Sequence, residues 1–479
     1  MTIDVDIPES PGWWLMRGSR KLRELAPHYQ ELFDRLEGNG PLPHGAEGLE
    51  EAYRAFQRKA RTNWCEKIVS SKHERMQLDG FRTAADDDLD GDQKAAELAR
   101  SARLFPELND ALWNMLGVGV GYLMVGETTD GRIVVTSEDP RQAITFHDPA
   151  TTDTRAGVKL FRDVDEGVDF GYVTVLQEDG TVRRWVARKD APRAPVPKRG
   201  ISFTEAWDWD DDRGGAEGEL LACSQVPLIR FLNRRGRGEF ETHTDLLDRI
   251  THQVLQRLVI IAMQAYKQRA MIGAPSEDED GEPIDYDGLL VPGPGALWDL
   301  PDGVDIKEFS QADLTGVLSA ARDDLRELIE VTATPLPAAI RDAANQSAEG
   351  AAFARESLVF AVSECNTAAS EPAARALACI AEFAGDTARA DHTRITPMWA
   401  DPARRSLTEM ADAASKAAGD LPLEERLVKI WGYTPERAKQ LADAKRAEQL
   451  QQAAYLSAGL PAPALAPPAA AAVTADEDA

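Results

Sequence analysis

Between residues 18 and 37, Leu22, Leu25, Tyr29, Leu32, Phe33 and Leu36 recur three and four positions apart, the spacing of one helical face. Pro27 inside this run predicts a break or bend, and with it an early helical hairpin. A polar link, GNGPLPHGAEG, leads to a second helical register through Tyr53, Phe56, Trp64, Ile68 and Val69, closed by Asp79-Gly80. Residues 95–116 read as one further helix. The pattern then shortens to alternation: RIVVTSE, AITFHD, GVKLFRD, GYVTVLQ and TVRRWVA are β-branched runs bounded by turn residues. Asp179-Gly180 marks a tight hairpin between the last two.

Near residue 240 the period changes. Across 242–269, Leu247, Ile250, Val254, Leu258, Ile261 and Ala265 keep helical spacing without a single Gly or Pro. A Gly-, Pro- and acid-rich insertion with short strands follows. Ser310-Gln-Ala-Asp313 then forms a capping box for a helix through Leu314, Leu318, Leu325, Leu328 and Ile329, which Pro335 and Pro337 stop. A small-residue loop precedes an Ala-rich helix over 347–383, in which Pro372 predicts a kink. Ser406-Leu-Thr-Glu409 and Thr434-Pro435 open two more helices. The Ala/Pro-rich residues after 450 read as a mobile tail. The whole is an α+β chain.

Composition narrows the function. The 479 residues carry 54 Lys+Arg against 81 Asp+Glu, a formal charge of −27. That balance argues against tight gripping of nucleic acid, which needs clustered cations, and against adsorption to an anionic membrane. The four cysteines, Cys65, Cys223, Cys365 and Cys379, form no CxxC pair and no dense framework, which fits a reducing compartment. The first residues lack the basic and apolar regions of a signal peptide, and no stretch approaches a membrane span, so a cytoplasmic site of assembly is expected.

Several patterns could carry chemistry. Asp86, Asp88, Asp90, Gly91 and Glu97 fall at EF-hand loop positions 1, 3, 5, 6 and 12, a calcium candidate. Gln93 at loop position 8 and the poor entering helix favour a solvated acidic linker instead. Gly117, Gly119 and Gly121 resemble part of a dinucleotide fingerprint, but here a helix precedes a strand, so tight packing is the better reading. There is no P-loop, no HExxH and no GxSxG. The acid runs 208–212 and 277–287 offer oxygen ligands to a Mg²⁺-dependent nuclease or packaging enzyme, yet both sit in loop-like sequence ill suited to rigid catalysis. Arg234, Arg235 and Arg237 form one compact basic cluster, expected to pair with nearby acids.

The order of elements, with Asn63-Trp-Cys-Glu-Lys-Ile-Val69, Leu78-Asp-Gly80-Phe81, Gly119-Val-Gly121-Tyr122, the Asp139-Pro140 and Asp148-Pro149 turns, Val226-Pro227-Leu228 to Asn233-Arg234, Asp248-Arg-Ile250 and Trp399-Ala-Asp-Pro402, resembles the portal (head-tail connector) proteins of tailed double-stranded-DNA bacteriophages, of the type met in actinobacteriophages. The resemblance runs over about residues 15–450 and implies a wing at 1–240, stem helices at 241–270 and 311–333, and a clip at 271–310 between them. It further implies a tunnel loop at 334–350, a kinked tunnel helix at 351–388, a return segment at 389–402, a helical crown at 403–450 and a tail at 451–479.

By the same resemblance the protein is not an enzyme, needs no cofactor, and forms a homo-oligomeric ring, a dodecamer, at one capsid vertex of the virion. Double-stranded DNA passes through without sequence specificity. The implied partners are the terminase large subunit, a head-tail adaptor, and the major capsid and scaffolding proteins. Asn345, Gln346 and Ser347 are the implied DNA-facing residues, and Glu277, Asp278, Glu279, Asp280, Asp285 and Asp287 the clip surface toward motor or adaptor.

Overall fold

The computed structural model describes residues 3–43, 51–85, 91–128, 130–204, 206–265, 269–273, 277, 305–308, 315–334, 348–403, 407–433 and 435–457. Its elements run α1 (Pro11–Leu36), α2 (Glu51–Ala60), α3 (Trp64–His73), β1 (Leu78–Thr83), α4 (Gln93–Ser101) and α5 (Leu104–Val118). Seven strands to the end of the β-rich half follow the local alternation: β2 (Val120–Glu127), β3 (Ile133–Glu138), β4 (Ala143–His147), β5 (Thr154–Asp163), β6 (Val168–Leu176), β7 (Val182–Asp190) and the short β8 (Asp208–Trp209). Next come β9 (Glu219–Leu220), β10 (Leu228–Leu232), α6 (Thr244–Ala265), β11 (Arg269–Ile272), β12 (Asp305–Glu308), α7 (Thr315–Thr332) and α8 (Ala348–Phe383). The described chain closes with β13 (Ile395–Trp399), α9 (Leu407–Lys416), α10 (Leu423–Lys429) and α11 (Pro435–Ser457).

Three antiparallel sheets organise the first half. Strands β4 to β8 pair in sequence order with β9 off β7; β2 lies between β10 and β3; and β1 pairs with β13. The Asp179-Gly180 turn joins β6 to β7 as expected, Gly180 taking φ +81° and donating its N–H to the Gln177 carbonyl at 3.0 Å. The insertion after α6 contains a strand pair, β11 with β12.

Three expectations need correction. Pro27 does not split the first helix: α1 runs unbroken over 26 residues, so there is no hairpin there. Ser10 caps it, accepting from the Trp13 N–H at 3.2 Å with Pro11 in the first turn. Buried Leu22 and Ala26 before Pro27, and Leu32, Phe33 and Leu36 after it, hold both halves on one packed face, outweighing the lost backbone bond. Asp79-Gly80 is not a terminator but part of β1, whose pairing with β13 shifts register between Leu78 and Gly80. The 95–116 helix is two helices, broken where Arg103 adopts φ +63°. Pro372 lies within a continuous α8, as the sequence places it, and the residues from Ala376 to Ala381 beyond it are all buried.

The glycine run is structural. Gly119 caps α5 at φ +87°, and a Cβ on Gly121 would lie 2.0 Å from the Ala111 carbonyl oxygen. Only a bare backbone lets β2 pass that close under α5. The largest core joins α1, α3, α5, β2, β10 and α8, and includes Leu247 and Ile250 of α6 and Leu328 of α7. A second core packs Trp14, Leu15 and Leu22 of α1 on the six-stranded sheet with Trp207 and Trp209.

Candidate functional site

The feature that stands apart from the cores is the pair α6 and α7. Near the body, Leu247, Ile250, Leu255 and Leu328 are buried between the helices and the main core. Polar groups tie the outer faces together: Arg249 reaches Asp324 at 2.9 Å and Glu327 at 2.8 Å, and Gln253 donates to Asp324 at 2.6 Å. Farther along α6 the sequence stays apolar while the cover thins. Val254, Leu258, Val259 and Ile260 are only half-buried, and Ile261 is 48 % exposed. Gln256 and Arg257 interrupt the stretch, but from Leu258 to Ile261 it is apolar around most of its circumference, as a helix in an interior is. Separately from that stretch, Val331 near the base of α7 is 51 % exposed and Phe360 of α8 is 67 % exposed.

The base of α6 is locked to the body. Arg35 of α1 grips Asp248 with two bonds, 2.7 and 3.0 Å, and these hydrogen bonds push its already high pKa up further. Lys72 of α3 is ion-paired to Glu239, whose other oxygen accepts from Asn233 at 2.8 Å. Gly238 donates to Glu241 at 2.9 Å, and Glu241 faces His28 at 3.3 Å. Burial, reinforced by the Lys72 charge, lowers the His243 pKa despite Glu239. A helix leaving the body through such a network is fixed in direction.

At the other end of the chain, Arg389 crosses to Asp92, while Asp386 accepts from Arg389 and pairs with Lys94 at 2.8 Å. Asp92 also caps α4, accepting from Ala95 at 2.9 Å, and accepts the Thr83 hydroxyl. The sequence reading missed all of these contacts. Their partners lie up to 297 residues apart, and nothing local announces them.

The residues singled out earlier fall as follows. Glu97 is exposed on α4, whereas Asp86, Asp88 and Asp90 lie outside the described residues, and the neighbouring Asp92 serves as cap and ion-pair partner. Glu277 is exposed; Asp278, Glu279, Asp280, Asp285 and Asp287 lie outside the described residues, as do Asn345, Gln346 and Ser347 and both proposed capping-box serines. In the 208–212 run, Asp210 caps a short 3₁₀ turn, accepting from the Asp212 N–H at 3.2 Å. Among the described residues no group of three or more His, Cys, Asp or Glu could hold a metal ion, and no helix is long and apolar enough to cross a membrane. Of the basic cluster, Arg234 faces Glu364 at 3.4 Å.

Comparison with known proteins adds three findings. Residues 20–451 match the family model described as phage portal protein, SPP1 Gp6-like. No curated protein matches the chain. Among solved structures, the chain is similar to one from the virion of a native gene transfer agent particle, at 13 % identity and TM-score 0.42, over 83 % of this chain and 98 % of that one. It is also similar to chains from the neck of an empty gene transfer agent particle computed with C6 symmetry (11 %, TM-score 0.43) and of a native one computed with C12 symmetry (14 %, TM-score 0.38). Both likenesses cover 84 % of this chain and 98 % of the other.

Proposed function

We propose that this chain, which belongs to the SPP1 Gp6-like phage portal protein family, closes into a ring whose channel passes double-stranded DNA at one vertex of a capsid. The observation that carries the reading is the apolar run of α6 from Leu258 to Ile261, four consecutive hydrophobic residues that point around most of the helix and are only half-covered in a single chain. Neighbouring copies supply the missing cover, packing helix against helix as in any interior. The family is structural, and the role proposed here is that of a duct rather than a catalyst.

In this reading α6 and α7 are the stem, the β11–β12 insertion between them is the clip that meets the terminase motor and afterwards the head-tail adaptor, and residues 1–240 form the wing. The bidentate Arg35–Asp248 contact and the Lys72–Glu239 pair hold the stem at a fixed angle to the wing, so that identical copies meet in identical geometry. A formal charge of −27 per copy suits a channel that must release its cargo: a wall of net negative sign repels phosphates within a Debye length of about 8–10 Å. Sedimentation of the full chain beside Ile261→Asp tests the reading. The parent runs as a large ring and the variant as smaller species of unchanged secondary structure; equal assembly by both refutes the role given to α6.

A further inference from the structure

A cavity of about 470 Å³ opens where the β4–β5 turn, β10, the middle of α8 and the segment before β13 meet. It lies away from the α6–α7 pair. Arg230, Arg375, His147 and His392 line it, against two acids, Asp153 and Glu371. Those acids are taken: Arg375 bonds Glu371 at 2.9 Å and stands 4.0 Å from Asp153. Arg230 is left over. It is only partly exposed on β10, its backbone paired opposite Tyr122 of β2, and among the described residues its side chain has neither an ion pair nor a hydrogen bond. Its charge is felt by neutral neighbours, Tyr29, Tyr122 and His147.

In a chain with 27 more acids than bases, a guanidinium that lines a cavity without a carboxylate partner is uncommon, and its nitrogens stay open to that cavity. A planar fork of five donors beside a second guanidinium is also the arrangement that recognises a planar or tetrahedral oxyanion. We propose that this cavity is an oxyanion site in which Arg230 binds a carboxylate or phosphate group, with Arg375 as the supporting charge.

His147 reports on occupancy. Its Nδ1–H donates to the Thr152 carbonyl at 3.0 Å, leaving Nε2 to accept from the Thr145 hydroxyl at 2.8 Å. Burial, then Arg230 and Arg375, hold its pKa below the usual value against the Thr152 bond, with Asp153, Glu371 and His392 the remaining titratable groups around the cavity. A bound anion offsets the two arginines, so His147 takes up a proton more readily and binding tightens as pH falls below the usual histidine value of about 6.5.

The experiment is calorimetric titration of the full chain with inorganic phosphate and, separately, succinate. Saturable binding is expected, weakened at least about tenfold by Arg230→Gln, the loss of a charge-assisted bond. Tighter phosphate binding identifies a phosphate ligand, tighter succinate binding a carboxylate one, and the succinate arm carries the pH dependence. Leu232→Trp, at a 40 % exposed position on the rim, blocks the mouth without touching a core and stands in if Arg230→Gln fails to fold by circular dichroism. No saturable binding of either anion, or equal binding by the folded variants, overturns the proposal.

Discussion

Arg389 lies across the Asp92 carboxylate, Nε 2.6 Å from Oδ2 and a terminal nitrogen 3.0 Å from Oδ1, although 297 residues separate them. Both side chains are almost fully buried, at 9 % and 0 % exposure. The contact fastens the segment before β13 to the start of α4. Removing one partner leaves a buried charge uncompensated, so Arg389→Ala or Asp92→Asn is expected to destabilise the fold by about 3–5 kcal/mol. Asn retains the capping oxygen, which separates the charge from the cap. Denaturant unfolding of the three proteins measures it, and losses near zero contradict the assignment.

The same pair gives an acid dependence. Burial alone would raise the Asp92 pKa, but hydrogen bonds from Arg389, Thr83 and the Ala95 N–H outweigh it and hold the carboxyl below its ordinary range. The bond from Lys94 does the same for Asp386, helped by Arg389. A carboxyl depressed in the folded state contributes stability above its unfolded value of about 3.9, and that stability is lost as pH falls through the lower folded value. Unfolding midpoints should therefore fall below about pH 4, less steeply in Asp92→Asn.

Gly121→Ala and Gly126→Ala form a matched test on one strand. The first sets a Cβ against the Ala111 carbonyl oxygen, rigid backbone that cannot yield, and is expected to cost about 1–3 kcal/mol or more. The second meets nothing within 4 Å and should be neutral or stabilising by about 0.5–1 kcal/mol. Thermal unfolding distinguishes them; equal effects would show that the close approach of α5 to β2 is wrong.

Between α6 and α7, burial should matter more than charge. Leu328, 1 % exposed, is expected to lose about 2–5 kcal/mol on substitution by Ala. Arg249, half exposed on the outer face, should leave the unfolding midpoint almost unmoved when replaced by Ala despite its two carboxylate contacts. The reverse order would mean that the helices are held together by ion pairs.

All four thiols are buried, and burial pushes Cys65 and Cys365 up to about 12, while a hydrogen bond with Cys223, with burial, raises Cys379 well above its ordinary value. Thiolate is then scarce at about pH 8. Iodoacetamide should label these positions in denaturant and hardly at all in the native protein, as read by mass spectrometry. Rapid native labelling of Cys65 or Cys365 would contradict the packing.

What could be read from sequence follows the range of the forces. Strands β3 to β7 were legible because side-chain alternation and the Asp179-Gly180 turn are local, and the glycine run because the order helix-then-strand already excluded a cofactor loop. The long α6 followed from its unbroken three-four spacing. Strand β1 was not legible: its partner β13 lies some three hundred residues away, and Asp79-Gly80 looks like a turn until Met398 pairs with Gly80. Pro27 misled because tertiary packing of Leu22 and Phe33, invisible to a local rule, carries α1 through it. The Arg389–Asp92 and Arg35–Asp248 contacts have no signature in spacing at all.

Electron cryomicroscopy of the purified full-length chain tests the central claim most directly. The account predicts closed rings of identical copies around an open channel, with the Val254 to Ile261 face of α6 covered by the neighbouring copy. Particles that remain single chains at high protein concentration, or closed assemblies in which that face stays open to solvent, would contradict it.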